Sequence, residues 1–249
     1  MTSSKLNDEV QVSVVVPFFN ESGNIEILFK AIADIFRQLP EYRYECIFVN
    51  DGSDDGTREE LAQLAARYQN LHAINFNRNY GQSAALVAGL RRATGEYIIT
   101  LDGDLQNDPA DIPAFLETLK EVDFVCGYRY KRLDTFVRRL SSRIANRVRN
   151  WILQDGLHDA SCGIKGFRQD CLPHIVAFNG IHRFMGAIMK ASGKKVAEYK
   201  VNHRPRLHGK SKYGINNRLW RGIYDLFGMA WLLRRYVNPV IDSEIPPTS

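Results

Sequence analysis

Hydrophobic and polar positions take turns in two rhythms along the first half of this chain. Apolar runs at Val12–Val16, Tyr44–Val49, Leu71–Phe76, Glu96–Leu101 and Val122–Gly127 predict strands. Between them, Ile25–Leu39, Thr57–Tyr68, Gln82–Ala93 and Pro109–Leu119 place apolar residues at helical spacing, the last opened by proline in its first turn. Strand and helix in strict alternation predict an α/β fold with a mostly parallel central sheet covered on both faces. In such sheets ligands bind beyond the carboxyl ends of the strands.

The rhythm changes after Gly127. Leu133–Leu153 predicts a long arginine-rich helix, Asp155–Asp159 a turn or loop, and Cys162–Phe167 and Lys195–Val201 two strands around a helix at Phe184–Ala191. Asn202–Gly214 is basic and without periodicity, and Leu219–Leu233 mixes Trp220, Tyr224, Phe227 and Trp231 with Arg221 and Asp225. This divides the chain into a tail (1–10), a main domain (11–214), amphipathic C-terminal helices (215–240) and a disordered tail (241–249). No internal repeat or low-complexity segment interrupts it.

The 249 residues, 45% apolar and 24% charged, suffice for a substantial core without disulfides. The cysteines (Cys46, Cys126, Cys162, Cys171) form no C-x-x-C pair, which argues against zinc and for a reducing compartment. Met1–Val10 has no apolar h-region, so no signal peptide is expected, and no uninterrupted apolar window predicts a membrane span. The net charge of +5 hides an asymmetry: residues 1–125 carry 10 Lys/Arg against 20 Asp/Glu, residues 126–249 carry 23 against 8. A basic back half points to an anionic partner.

Chemistry-bearing residues gather at the predicted strand ends. The first strand runs into Pro17-Phe18-Phe19-Asn20-Glu21 and lacks the G-x-G-x-x-G of a dinucleotide-binding unit, which argues against a dehydrogenase. The second ends in Asn50-Asp51-Gly52-Ser53-Asp54-Asp55-Gly56-Thr57. There Asp51 can accept hydrogen bonds from a base, while Asp55 or Thr57 can cap the next helix. Gly81, in Asn77-Arg78-Asn79-Tyr80-Gly81, is either a turn glycine or a point of close backbone approach. The fourth strand ends in Asp102-Gly103-Asp104-Leu105-Gln106. On an extended segment Asp102 and Asp104 point the same way. Two carboxylates and an amide oxygen suit Mg²⁺ or Mn²⁺ bridging a nucleotide diphosphate.

These motifs resemble glycosyltransferase family 2. The resemblance runs over roughly residues 11–215, from Val14-Val15-Val16-Pro17 through Asn50–Thr57 to Leu101–Gln106. The Asp-Leu-Gln ending and Arg206-x-x-Gly209-x-Ser211-Lys212 are similar to the dolichol-phosphate mannosyltransferase branch, whose bacterial members load sugars onto polyprenyl phosphate. The resemblance implies a GT-A fold. It places Pro17, Asn20, Glu21 and Asp51 at the nucleoside, with Ser53, Gly81 and Gly103 on the same donor side. Asp102, Asp104 and Gln106 would hold the metal and donor diphosphate. Arg129 matches a strand-end arginine near the donor phosphates. Arg138 or Arg139, with Arg206, Ser211 and Lys212, match the acceptor-phosphate region. Asp104, Arg129, Arg206 and Lys212 would carry catalysis. Phe18-Phe19 and Tyr128 depart from the family's usual residues.

The implied activity is inverting transfer of a hexose from GDP-mannose or a UDP-sugar to polyprenyl phosphate. The location would be peripheral, on the cytoplasmic membrane face. A phosphate acceptor is already anionic and needs no general base, unlike a hydroxyl. Tyr128–Arg149 holds eight Lys/Arg and one acid, and Lys200–Arg221 seven and none. Apolar residues from Leu133 to Ile152 at three- and four-residue spacing make part of the first run an ordinary amphipathic helix. Both regions also suit an anionic membrane, a homo-oligomer or a membrane-protein partner. Six histidines show no metal-ligand spacing. Two alternatives stand beside this reading: transfer to a soluble or polysaccharide hydroxyl with Asp155 or Asp159 as base, and a non-catalytic partner of anionic lipid. Nucleic acid is not expected, for want of a stacking platform.

Overall fold

A computed structural model describes residues 9–130, 136–202, 204 and 215–237; for 136–143, 145 and 215–221 only the backbone is described. The strands are β1 (Val12–Phe18), β2 (Tyr44–Asn50), β3 (Leu71–Asn75), β4 (Tyr97–Thr100), β5 (Phe124–Arg129), β6 (Lys165–Arg168) and β7 (Val196–Val201). The helices are α1 (Ile25–Arg37), α2 (Thr57–Arg67), α3 (Gln82–Arg92), α4 (Ile112–Thr118), α5 (Phe136–Leu153), α6 (Met185–Ala191) and α7 (Ile215–Arg234). A 3₁₀ turn, Pro109–Asp111, precedes α4, where the spacing predicts one helix.

The strands form one sheet in the order β3-β2-β1-β4-β6-β5-β7. All run parallel except β6, which is antiparallel to both β4 and β5. The sequence reading puts no such strand between β4 and β5. β1 and β2 are buried on both faces, which explains their continuous apolar runs. One core cluster joins Val14, Phe29, Phe48 and Phe115; the other joins Val15, Leu86, Ile98, Phe167 and Met185. Neighbouring strand residues therefore feed opposite faces. The four cysteines are free and buried.

Two features open the carboxyl edge of the sheet. β1 and β4 are in register only from Val12↔Tyr97 to Val15↔Thr100, with one further bond from Leu101 N to Val15 O. Pro17 follows on the β4 side, and its missing N–H leaves no ladder donor there. The chain after β4 can then turn away instead of continuing the ladder.

The opposite edge is closed by a buried acid. Glu45, 3% exposed, accepts hydrogen bonds at Oε1 from Ser13 Oγ (2.7 Å), Thr94 N (2.8 Å) and Thr94 Oγ1 (2.8 Å). Its Oε2 lies 3.3 Å from His72 Nε2 and 3.8 Å from Arg92 Nη1. Burial alone raises its pKa; the hydrogen bonds from Ser13 and Thr94, with the charge of His72, outweigh it and hold the carboxyl below the usual range. A depressed folded-state pKa contributes stability that is present above the unfolded value and lost as pH falls through the folded one. Glu45→Gln should therefore lower unfolding free energy by roughly 2–3 kcal/mol at pH 7. The gap between variant and wild type, measured by urea unfolding, should narrow as pH falls below about 4.

Candidate active site

The first turn of α3 ties three loops together with three consecutive residues. Gly81 N donates to Asp51 Oδ2 (2.8 Å), at the end of β2. Gln82 Nε2 donates to Asp102 Oδ1 (2.8 Å), just after β4. Ser83 Oγ accepts from Gly180 N (2.8 Å) and lies 3.1 Å from His182 Nδ1. Burial, then the charges of Lys165 and Arg183, push His182 down to about 3, so the ring is neutral at physiological pH. Gly81 has φ +96° and no protein atom within 4 Å of where a Cβ would stand. Its turn conformation is what requires glycine; no protein backbone crowds it.

Asp51 is 2% exposed and its carboxylate is engaged by the β3–α3 loop. Oδ1 accepts from Tyr80 N (2.7 Å), and Oδ2 from Gly81 N and Asn79 Nδ2 (3.0 Å). Burial raises its pKa, with the Tyr80 and Gly81 amides working against it. Asp51 thus fixes the β3–α3 loop. Asn20 and Ser53 join the first two loops: Ser53 Oγ accepts from Asn20 N (2.9 Å), and Asn20 and Asp54 exchange bonds of 2.6 and 3.0 Å. Glu21 accepts from Asn24 Nδ2 (2.7 Å). Asp55 accepts from the amide and hydroxyl of Thr57 at the start of α2, whose N-cap residue is Gly56 (φ +88°) rather than Asp55 or Thr57.

The acid loop differs from the extended segment expected. Gly103 and Asp104 lie in a turn, and Leu105 adopts φ +61°. A Cβ on Gly103 would meet the Phe18 ring at 2.5 Å and Pro17 O at 3.0 Å, so the turn packs directly on the end of β1. Asp104 Oδ1 accepts from Gln106 N (3.2 Å), and Asp102 N donates to Asn107 Oδ1 (3.1 Å). Asp102, Asp104 and Gln106 are all half-buried at one strand end.

Three arginines are each paired with an acid, and one of them, Arg204, contacts this loop. Arg129 holds Asp159 in a bidentate pair (Nε–Oδ2 2.6 Å, Nη2–Oδ1 2.9 Å) and reaches Ser161 Oγ at 2.9 Å. Burial opposes its charge, but Asp159 outweighs burial and holds the guanidinium above its usual range. Asp155 is paired with Arg149 (3.0 and 3.3 Å), whose Nη2 also donates to Leu157 O. Both acids that a hydroxyl-acceptor mechanism could use as base are therefore buried ion-pair partners. Arg204 N donates to Gln106 O (3.0 Å), and its guanidinium meets Asp108 Oδ2 at 2.5 Å. The basic segment after β7 thus starts on the acid loop. Arg206, Ser211 and Lys212 lie outside the described residues, as do the side chains of Arg138 and Arg139.

A family model described as glycosyl transferase family 2 matches residues 13–176. This chain belongs to glycosyl transferase family 2. It is 37% identical over 242 residues to a dodecaprenyl-phosphate galacturonate synthase of Rhizobium johnstonii, covering 94% of this chain and 71% of that protein. An undecaprenyl-phosphate 4-deoxy-4-formamido-L-arabinose transferase of Aeromonas hydrophila is 33% identical over 217 residues, covering 86% and 66%. Among solved structures, glucosyl-3-phosphoglycerate synthase of Mycobacterium tuberculosis with Mn²⁺, UDP and phosphoglyceric acid superposes with TM-score 0.67 at 16% identity, over 90% of this chain and 78% of that one. A mannosyltransferase of Pyrobaculum calidifontis with GDP-Man and Mn²⁺ gives TM-score 0.63 at 20% identity, over 94% and 67%. The fold is the GT-A fold.

In this family 2 chain the donor set fits a hard divalent ion by its chemistry. Among the described residues no three His, Cys, Asp or Glu side chains form a metal cluster. Two carboxylates, one amide and the oxygens of a bound diphosphate instead make the partial protein shell that Mg²⁺ accepts.

Missed by the sequence reading are Gln82, Ser83, Asn107, Gly163 and the Asp159 partner of Arg129. Only Gly163 carried a signal: a glycine at the entry of a strand pattern marks close backbone approach.

Asp111, buried beside the acid loop, accepts from Asn202 N (3.2 Å). Burial pushes its carboxyl up to about 6, helped by Asp108 and opposed by the Asn202 amide and Arg204. The folded state therefore binds the proton more tightly than the unfolded chain, and stability falls as pH rises through that range. Asp111→Asn should be more stable than wild type at pH 7, with the advantage vanishing near pH 4. Urea midpoints across that range measure it.

Proposed function

We propose that this chain catalyses inverting, metal-dependent transfer of a hexose from a nucleotide diphosphate to polyprenyl phosphate at the cytoplasmic face of a membrane. The observation that carries the reading is the root of the basic segment: Arg204 sits on Gln106 and Asp108 of the acid loop. Anion-binding groups thus begin where a donor diphosphate would end. The names of the curated relatives, which include dodecaprenyl-phosphate and undecaprenyl-phosphate, support the acceptor class.

The acceptor's own charge makes it the nucleophile. A phosphate oxygen forms the bond to the anomeric carbon as the bond to the diphosphate breaks, and the nucleotide diphosphate leaves from the opposite side. No proton need be removed. Asp155 and Asp159, locked in pairs with Arg149 and Arg129, are consistent with a reaction that lacks a general base. Asp102, Asp104 and Gln106 would hold Mg²⁺ or Mn²⁺, whose Lewis acidity stabilises charge on the departing diphosphate. Arg206 and Lys212 would bring in the acceptor phosphate, the arginine in bidentate fashion. Purified protein with Mn²⁺ or Mg²⁺, a panel of GDP- and UDP-sugars and a short polyprenyl phosphate should yield lipid-linked sugar with one donor. Absence of product with every donor would defeat the reading. Asp104→Ala should cost about a hundredfold or more in rate. Arg206→Ala should retain nucleotide binding and lose transfer; equal loss of both contradicts its acceptor role.

Among the described residues no helix is long and apolar enough to cross a membrane. Two neighbouring helices nevertheless leave aromatic residues in solvent. On α5, Ile144, Val148 and Trp151 are exposed at helical spacing, and on α7 Tyr224, Phe227 and Trp231 are. Trp151 is 80% exposed and Tyr224 82%. Tryptophans beside arginines suit a headgroup layer. In a vesicle sedimentation assay with anionic lipid, Trp151→Ser combined with Trp231→Ser should weaken binding on the order of tenfold or more. Unchanged binding would remove these helices from the membrane contact.

A further inference from the structure

Asp102 is gripped from two sides by residues that no motif marks. On one side, Gln82 Nε2 donates to Oδ1 at 2.8 Å. Gln82 cannot drift, because its neighbours Gly81 and Ser83 are bonded to Asp51 and to the Gly180–His182 segment. On the other side stands Gly163. A Cβ there would lie 2.0 Å from Asp102 Oδ2 and 2.6 Å from Asn107 Oδ1, so only a glycine lets the carboxylate seat. The Gly163 turn is itself held at two successive carbonyls. Thr100 Oγ1 donates to Gly163 O (3.1 Å), and Lys165 Nζ donates to Cys162 O.

Lys165 is 3% exposed, and among the described residues no carboxylate lies within 4 Å of its ammonium. Burying an ammonium against a lone carbonyl is costly, so stability alone is a poor reason for it. We propose that Gln82 and the Gly163 turn pinned by Lys165 form a positioning cradle, which fixes the Asp102 carboxylate before the nucleotide-diphosphate and its metal arrive. The cradle rests on the donor-binding reading above. A ligand carboxylate held in one rotamer by outer partners binds its ion without reorganising.

Gln82 is exposed at the start of its helix, so Gln82→Met removes the donor group and leaves the packing alone. Calorimetric titration of the full chain with UDP and GDP, in Mn²⁺ and in chelator, reads the effect. Affinity in Mn²⁺ should fall about tenfold. Affinity in chelator and the thermal midpoint should stay at the wild-type values. Gln82→Glu should lose more, because two carboxylates then face each other. Lys165→Met should mimic Gln82→Met, and Lys165→Arg, which restores a donor, should recover most of the loss. If Lys165→Met does not fold, Thr100→Val removes the adjacent pin and should give the same pattern. Unchanged Mn²⁺ dependence in Gln82→Met overturns the cradle, as does an equal loss with and without metal. Wild-type protein that binds nucleotide equally in Mn²⁺ and in chelator defeats the donor-binding reading and the cradle together.

Discussion

The chain just after β4 is held on several sides at one half-buried carboxylate, Asp102, by contacts that depend on the packing of the sheet edge. Asp102 receives a hydrogen bond from Gln82, its backbone amide donates to Asn107, and Gly163 gives way on its far side. Each contact comes from a different part of the chain. Pro17 ends the β1 ladder on the β4 side, which lets the acid loop leave the sheet where a ligand can reach it. The short antiparallel strand β6 delivers Gly163 to the same point.

Charge is matched locally. The acidic front half and basic back half meet where Arg204 joins Asp108 and Gln106, while within the back half Arg129 pairs with Asp159. Arg129 is therefore no bare cation awaiting a phosphate. Its fork is already shared with Asp159 and Ser161, so its charge is balanced by a fixed carboxylate. The same pairing occupies both carboxylate oxygens of Asp159.

Local pattern was a good guide where one segment decides its own structure. β1 and β2 are buried on both faces, so their apolar runs are continuous and legible. The helices α1, α2 and α3 begin at the predicted residues, where the positive-φ glycines Gly23, Gly56 and Gly81 turn the chain just before them. The place of β6 was not legible. Its four residues, Lys165–Arg168, find partners in β4 and β5, and nothing within the segment says that it runs antiparallel between them. The acid loop shows the same limit: Asp102 and Asp104 announce themselves, yet the turn at Gly103 follows from packing on Phe18.

The sequence by itself determined the alternating architecture, the acid-rich strand ends and the family, because those depend on residue type and short-range spacing. Tertiary structure alone decided which neighbours hold each of these acids. Gln82 meets Asp102 across 20 positions and Ser83 meets His182 across 99. Bonds over such separations are set by how the sheet and helices pack, and no local rule of hydrophobic spacing contains them.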